Sequence, residues 1–152
     1  KGDARVLRKP VRNSIQNHSR VGQKEHEAEL AALNQRFPCA EAAIREALNA
    51  YVDGWLHQHQ GKPNAAFCSS WVPGPDWNSG TGVYQPIFDT MADLYVDTAL
   101  AHRRAGWFFG LILMDVMIRR DTEHWGCWHE ATDRDEDPLG MFYRPLRGND
   151  SR

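Results

Sequence analysis

The residues with the greatest potential for chemistry lie in one stretch, Thr122–Asp137, which reads TEHWGCWHEATDRDED. It holds two histidines, one cysteine and six carboxylates, and a structural zinc site needs four ligands that converge on one point. The glycine and the two tryptophans favour a strand, in which neighbouring side chains face opposite sides. The possible ligands then divide between the two faces: Cys127 and His129 lie beside Trp125, and His124 and Glu130 lie beside Trp128. We therefore predict a strand packed by its tryptophans, with no metal and no cofactor, in preference to a metal site.

The acidic run that follows has the alternate spacing that opens an EF-hand calcium loop, with Asp133, Asp135 and Asp137. Such a loop needs glycine at its sixth position and a bidentate glutamate at its twelfth. Those positions are Pro138 and Arg144 in this sequence. The run is therefore predicted to be a solvated turn.

A second acidic pattern follows Pro86, where Asp89, Asp93 and Asp97 are each four residues apart. On a continuous helix this spacing stacks three carboxylates on one face, as an acidic ridge. The ridge is interpreted first as a solvent-facing stripe and second as a docking site for a basic segment. A divalent-metal site is the third alternative, although the paired Glu-x-x-His motifs of di-iron bundles are absent.

One carboxylate lies inside a strongly apolar helical stretch. Asp115 shares a helical face with Phe108, Leu111 and Ile112, and an unpaired buried carboxylate is costly. Arg119 follows four residues later, at the spacing of an ion pair within a helix. We predict a structural ion pair rather than a catalytic acid.

The six tryptophans are many for 152 residues. Trp71 and Trp77 lie in a long irregular connection, residues 62–84, and Trp125 and Trp128 lie in the predicted strand. Exposed tryptophans anchor interfaces or stack on flat ligands. For the connection we weigh three uses, namely capping the core, forming an interface and lining a small-molecule pocket.

Charge is strongly segregated along the chain. Residues 1–24 contain seven Lys or Arg and one Asp, a net charge of +6, whereas residues 25–152 carry a net charge of −8. The pattern predicts a basic N-terminal arm, residues 1–22, that docks on something negative. The arm residues proposed to make these contacts are Arg5, Arg8, Lys9, Arg12 and Arg20.

The remaining composition favours a cytoplasmic protein. Three cysteines without close paired spacing fit a reducing compartment, and no signal peptide is recognisable at the start. The longest apolar run, Ala105–Ile118, has fourteen residues including one Asp. A membrane-spanning helix needs about 20 residues, so we expect a buried core helix and no membrane association.

Periodicity predicts a helix-rich α+β domain over residues 23–152. One helix is expected to begin at Gln23 and a second after Pro38. Two more are expected after Pro86, with a break between them near His102–Gly106. The last of these helices, apolar on nearly every side, is expected to be central. HWGCWHEA and GMFYRPL then form a C-terminal β-hairpin.

Three functions remain open. The first is a non-enzymatic assembly protein, homo-oligomeric, whose basic arm docks on an acidic surface of a neighbour or partner. The second is nucleic-acid binding through the same arm, although the apolar helix is unsuited to read a groove. The third is an enzyme or ligand-binding domain with a pocket between the Trp71–Trp77 loop and the acidic ridge, using Asp89, Asp93 and His124. No phosphate loop, dinucleotide fingerprint or HExxH motif supports the third.

Overall fold

The computed structural model describes residues 23–62, 64–120, 124–129 and 141–146. These ranges form four α-helices and a small three-stranded antiparallel sheet. The predicted helix-rich α+β fold is therefore confirmed. The helices are α1 (Gln23–Arg36), α2 (Ala40–Gln58), α3 (Gln85–Leu94) and α4 (Thr98–Arg119), and the strands are β1 (Phe67–Cys68), β2 (Trp125–His129) and β3 (Met141–Pro145).

The first two helices begin and end where local chemistry requires. Glu25 lies in the first turn of α1 and Arg36 in its last turn, so both oppose the helix dipole. Pro38 disfavours helical backbone at the residue before it and separates α1 from α2. Gly61 follows α2 with a φ of +77°, a left-handed conformation that glycine adopts without strain. The residues of α2 that lie in the core recur every three or four positions: Ala40, Ile44, Leu48, Val52 and Trp55.

The boundary between α3 and α4 differs from the sequence prediction. The break lies at residues 95–97, and α4 continues without interruption through His102–Gly106, where a break was predicted. The reason is Asp97, whose carboxylate accepts hydrogen bonds from the backbone N–H groups of Ala99 at 2.9 Å and Leu100 at 3.3 Å. Asp97 is thus the N-cap of α4, and it starts a new helix instead of continuing the old one.

Helix α4 is the centre of the fold, as its composition predicts. It packs against α1, α2 and α3, and ten of its residues are buried. An aromatic layer joins the helices to the sheet. Trp55 of α2 lies 5.3 Å from Phe67 and 5.9 Å from Trp125 between ring centroids, and Phe67 stacks on Tyr143 at 5.4 Å.

The predicted hairpin is present as β2 and β3, in a register that pairs Cys127 with Tyr143. Strand β1 adds a third strand on the other edge of β3, giving the order β1-β3-β2. It comes from the connection predicted to be irregular, which also contains short 3-10 helices at Ser69–Trp71 and Gly74–Asp76. The hydroxyl of Ser69 accepts a hydrogen bond from the Met141 N–H at 3.1 Å and ties this connection to the sheet.

Candidate interaction surface at the α3–α4 corner

The described part of the chain exposes four large apolar side chains, and two of them lie in one short segment. Leu94 ends α3, and Val96, in the connection to α4, is fully exposed. Trp107 on α4 is 61% exposed, and Trp71 in the long connection is 51% exposed. Because an exposed tryptophan keeps a large apolar area in water, these positions mark candidate binding surfaces.

A buried arginine connects the corner segment to Trp107. The guanidinium carbon of Arg104 lies 5.1 Å from the centre of the Trp107 ring and 6.0 Å from that of Tyr95. Both are cation–π distances. We call the surface formed by these two aromatic residues, Arg104, Leu94 and Val96 the corner surface.

Helix α1 holds Arg104 in place through the carboxylate of Glu29. The Arg104 Nε donates to Oε2 of Glu29 at 2.7 Å, and the Tyr95 hydroxyl donates to the same oxygen at 2.6 Å. Glu29 is 1% exposed and Arg104 is 9% exposed. Two helices and the α3–α4 connection therefore meet at one buried carboxylate, which fixes the orientation of the corner surface.

The electrostatics of this cluster favour a fixed charge. The hydrogen bond from Arg104 to Glu29 raises the pKa of the Arg104 guanidinium above its usual value, although burial opposes this rise. Burial, with a contribution from the bond to Glu29, raises the pKa of the Tyr95 hydroxyl. Arg104 therefore stays cationic and Tyr95 stays neutral at physiological pH, so neither group is poised to exchange a proton with a substrate.

The predicted acidic ridge is divided in two by the helix break. Asp89 and Asp93 lie on α3, where the Asp89 carboxylate accepts from Gln85 at 3.1 Å and Asp93 pairs with Arg36 at 2.9 Å. Asp97 caps α4 and does not continue their stack. The three-carboxylate stack was therefore wrong in its geometry. Asp93 and Asp97, which are both exposed, flank residues 94–96, of which Leu94 and Val96 are exposed and Tyr95 is half-buried.

The four tryptophans singled out from the sequence serve different surfaces. Trp77 folds onto the core, with ring centroids 4.5 Å from Phe88 and 5.3 Å from Phe109. Trp125 is buried in the aromatic layer. On the other face of the sheet, Phe142 stacks on Trp128 at 5.6 Å and meets Trp71 edge-on at 5.8 Å. Trp71 and Trp77 thus do not line one pocket together.

Asp115 forms the ion pair that its spacing predicts, and it gains a second partner. Its Oδ2 lies 2.8 Å from the Arg119 Nε and 2.8 Å from Nη1 of Arg45 on α2. Burial raises the carboxyl pKa, but the hydrogen bonds from Arg119 and Arg45 outweigh burial and hold it below its usual value. An ionised carboxylate between two arginines joins α2 to α4 and is unsuited to act as a catalytic acid.

A shallow apolar groove of about 450 Å³ lies elsewhere, between the α1–α2 turn and the start of α3. Its lining includes Arg36, Phe37, Pro38, Cys39 and Val83 and contains no carboxylate or histidine. Within the ranges that the structure describes, no three His, Cys, Asp or Glu side chains come together to hold a metal ion. No described helix is long and apolar enough to cross a membrane.

Sequence reasoning missed four residues of this site: Glu29, Tyr95, Arg104 and Trp107. One signal was available for Glu29, since it lies three residues after His26 and four before Leu33, on the face of α1 that is buried. The arm residues Arg5, Arg8, Lys9, Arg12 and Arg20 lie outside the described residues, as do Glu130 and the acidic run at residues 133–137.

Comparison with known protein families, curated proteins and solved structures found no match for this chain.

Proposed function

We propose that this protein is a non-enzymatic assembly protein that forms homo-oligomers through the corner surface, with its basic N-terminal arm docking on an acidic region of a neighbouring copy. The observation that carries the proposal is the arrangement of Trp107 and Arg104. The tryptophan is 61% exposed, while the arginine beneath it is oriented by a buried carboxylate.

This arrangement has the composition of an interface centre. Tryptophan, tyrosine and arginine dominate the binding energy of protein interfaces. Ordering a long side chain on binding costs about 0.5–1.5 kcal/mol, and Arg104 is already ordered by Glu29. A partner that covers Trp107 therefore gains apolar burial without having to order the arginine.

Charge supports self-association in particular. The arm, residues 1–22, contains six Lys or Arg and one Asp, whereas residues 25–152 carry a net charge of −8. Each copy thus carries both a basic segment and an acidic region, as a contact between two identical copies requires. We also propose a cytoplasmic location, because all three cysteines are free thiols and the cytoplasm keeps thiols reduced.

The proposal is tested by the mass of the full chain in solution, measured by light scattering over a range of protein concentrations. We expect a dimer or larger assembly that Trp107→Ala dissociates. Trp71→Ala is the matched control, because Trp71 is 51% exposed and lies on another surface. A wild-type chain that is monomeric at all concentrations would overturn the proposal, and dissociation by Trp71→Ala alone would move the interface to the sheet.

A further inference from the structure

We infer that the arm segment Arg5–Arg8 of one copy docks on the corner surface of a second copy, an inference that rests on the proposed function. Val96 is fully exposed, so none of the described residues packs over this part of the corner surface. The segment reads Arg-Val-Leu-Arg, with two aliphatic residues between two cations.

The two partners have matching patterns of charge and apolarity. On the corner, Asp93 and Asp97 bracket Leu94, Tyr95 and Val96. In the arm, Arg5 and Arg8 bracket an aliphatic pair. A docked arm in extended conformation would place one of its two aliphatic side chains against Leu94 and Val96, because neighbouring side chains face opposite sides. Its two long guanidinium side chains would lie near the two carboxylates. Charged groups placed in this way set the register of a contact and exclude like-charged partners.

Both carboxylates can accept an additional arginine. The Asp93 side chain is 66% exposed even with Arg36 bound to its Oδ2. Asp97 uses Oδ1 for the helix cap. Since an ionised carboxylate offers about four acceptor positions, neither group is saturated by its partners within the chain.

The arm is long enough to reach a neighbouring copy. Helix α1 begins at Gln23, and Glu29, beneath the corner surface, lies about 9 Å further along the helix at 1.5 Å per residue. The fourteen residues that separate Arg8 from Gln23 can extend to about 50 Å. Because every copy has both an arm and a corner surface, a two-fold dimer would form the contact twice, and the second docking would be intramolecular.

The size of the apolar surface favours a second copy over the chain's own arm. A segment of four extended residues is about 13 Å long and turns one of its two aliphatic side chains towards the surface, too few to cover Leu94, Val96 and Trp107 together. The body of the copy that supplies the arm covers what remains. A chain that docked its own arm would leave part of this surface in water.

A charge exchange in the full chain tests the inference. The first variant is Asp93→Lys with its native arm, and the second is Arg5→Glu/Arg8→Glu with its native corner. Each variant alone opposes like charges, so we expect its dimer dissociation constant to rise about tenfold or more. In an equimolar mixture, the native arm of the first variant meets the native corner of the second, and the acidic arm of the second meets the basic corner of the first. We expect the mixture to form a heterodimer of near-native affinity.

Two controls isolate the contact. Asp53 matches Asp93, because its side chain is 67% exposed and pairs with an arginine, Arg120, at the opposite end of α4. Asp53→Lys should leave the dissociation constant unchanged, and so should Lys1→Gln/Lys24→Gln, which removes two basic residues that are not among the proposed arm contacts. If Asp93→Lys disturbs folding, as its unfolding midpoint would reveal, Asp93→Asn/Asp97→Asn replaces it, because asparagine also caps helices. This milder variant should still weaken the dimer.

The outcomes separate the inference from the function on which it rests. Variants that dimerise alone as tightly as the wild type would overturn the Arg5–Arg8 contact while self-association stands. Loss of dimers in both variants without rescue in the mixture would exclude docking between copies. A monomeric wild type would refute the proposed function itself.

Discussion

Glu29 and Arg104, which are 75 residues apart in the sequence, form a hydrogen-bonded ion pair of 2.7 Å between α1 and α4. The pair lies directly beneath Trp107, whose ring stacks on the same guanidinium group. A charge inside the fold thus determines how the most exposed described tryptophan is presented to solvent.

Glu29→Gln should destabilise the protein strongly, because it leaves Arg104 charged and buried without a compensating charge. We expect a loss of about 3 kcal/mol or more in the free energy of unfolding, measured by urea denaturation. Asp53→Asn, which removes a carboxylate that is 67% exposed, should cost about 1 kcal/mol or less, because Arg120 keeps its hydrogen bond to Asn49. Equal small losses for both variants would mean that water reaches the Glu29–Arg104 pair.

Asp115 should stabilise the fold in a pH-dependent manner. Burial raises its carboxyl pKa, but the hydrogen bonds from Arg119 and Arg45 outweigh burial, so the folded value lies below the unfolded value of about 3.9. A lowered pKa gives stability that is complete above the unfolded value and is lost as the pH falls through the folded value. The difference in unfolding free energy between wild type and Asp115→Asn should be constant from about pH 5 to 8 and shrink below about pH 4. A difference that already falls between pH 7 and 5 would contradict the direction of the shift.

Trp77 and Trp71 should differ in their effects on stability, although they lie in one connection. Trp77 packs on Phe88 and Phe109, so Trp77→Ala removes part of the core and should cost about 3 kcal/mol. Trp71 is half exposed and has one edge-on ring contact, with Phe142, so Trp71→Ala should cost about 1 kcal/mol. Urea denaturation of both variants measures the difference. The reverse order would mean that the connection is anchored through the sheet and not through the helices.

The three thiols should react at different rates. Burial raises the pKa of Cys127 to about 11, and Cys68 is fully buried, whereas Cys39 is exposed. Since the thiolate is the reactive form, one thiol per chain should react quickly with Ellman's reagent at about pH 8, and all three should react in urea. Cys39→Ser should abolish the fast phase. A fast phase that remained in this variant would place a second thiol within reach of solvent.

Local signals predicted much of the fold. The apolar positions of α2 recur every three or four residues, and Pro38 and Gly61 mark its limits, so one helix face and two breakers were enough. Gly126 and the tryptophans Trp125 and Trp128 predicted strand β2 within residues 124–131. Asp115 and Arg119 are neighbours on one helical turn, so their spacing also identified the pair.

The rest depended on contacts that no local pattern records. Periodicity merged α3 with the start of α4, because apolar residues continue through the break and only the cap at Asp97 separates the helices. Strand β1 has two residues, too few for alternation to be recognised. Helix α4 is apolar on nearly every side, so its sequence could not reveal that Trp107 faces solvent while Phe108 is buried.

The most direct test of arm-mediated assembly is the mass of the full chain by light scattering, compared with a variant in which the five arm residues Arg5, Arg8, Lys9, Arg12 and Arg20 are replaced by glutamine. At low salt the wild type should be a dimer or larger and the variant a monomer with an unchanged unfolding midpoint. High salt should shift the wild type towards the monomer, since exposed charges are screened. An assembly of the same mass in both proteins at both salt concentrations would contradict a role for the arm, and a monomeric wild type would contradict assembly altogether.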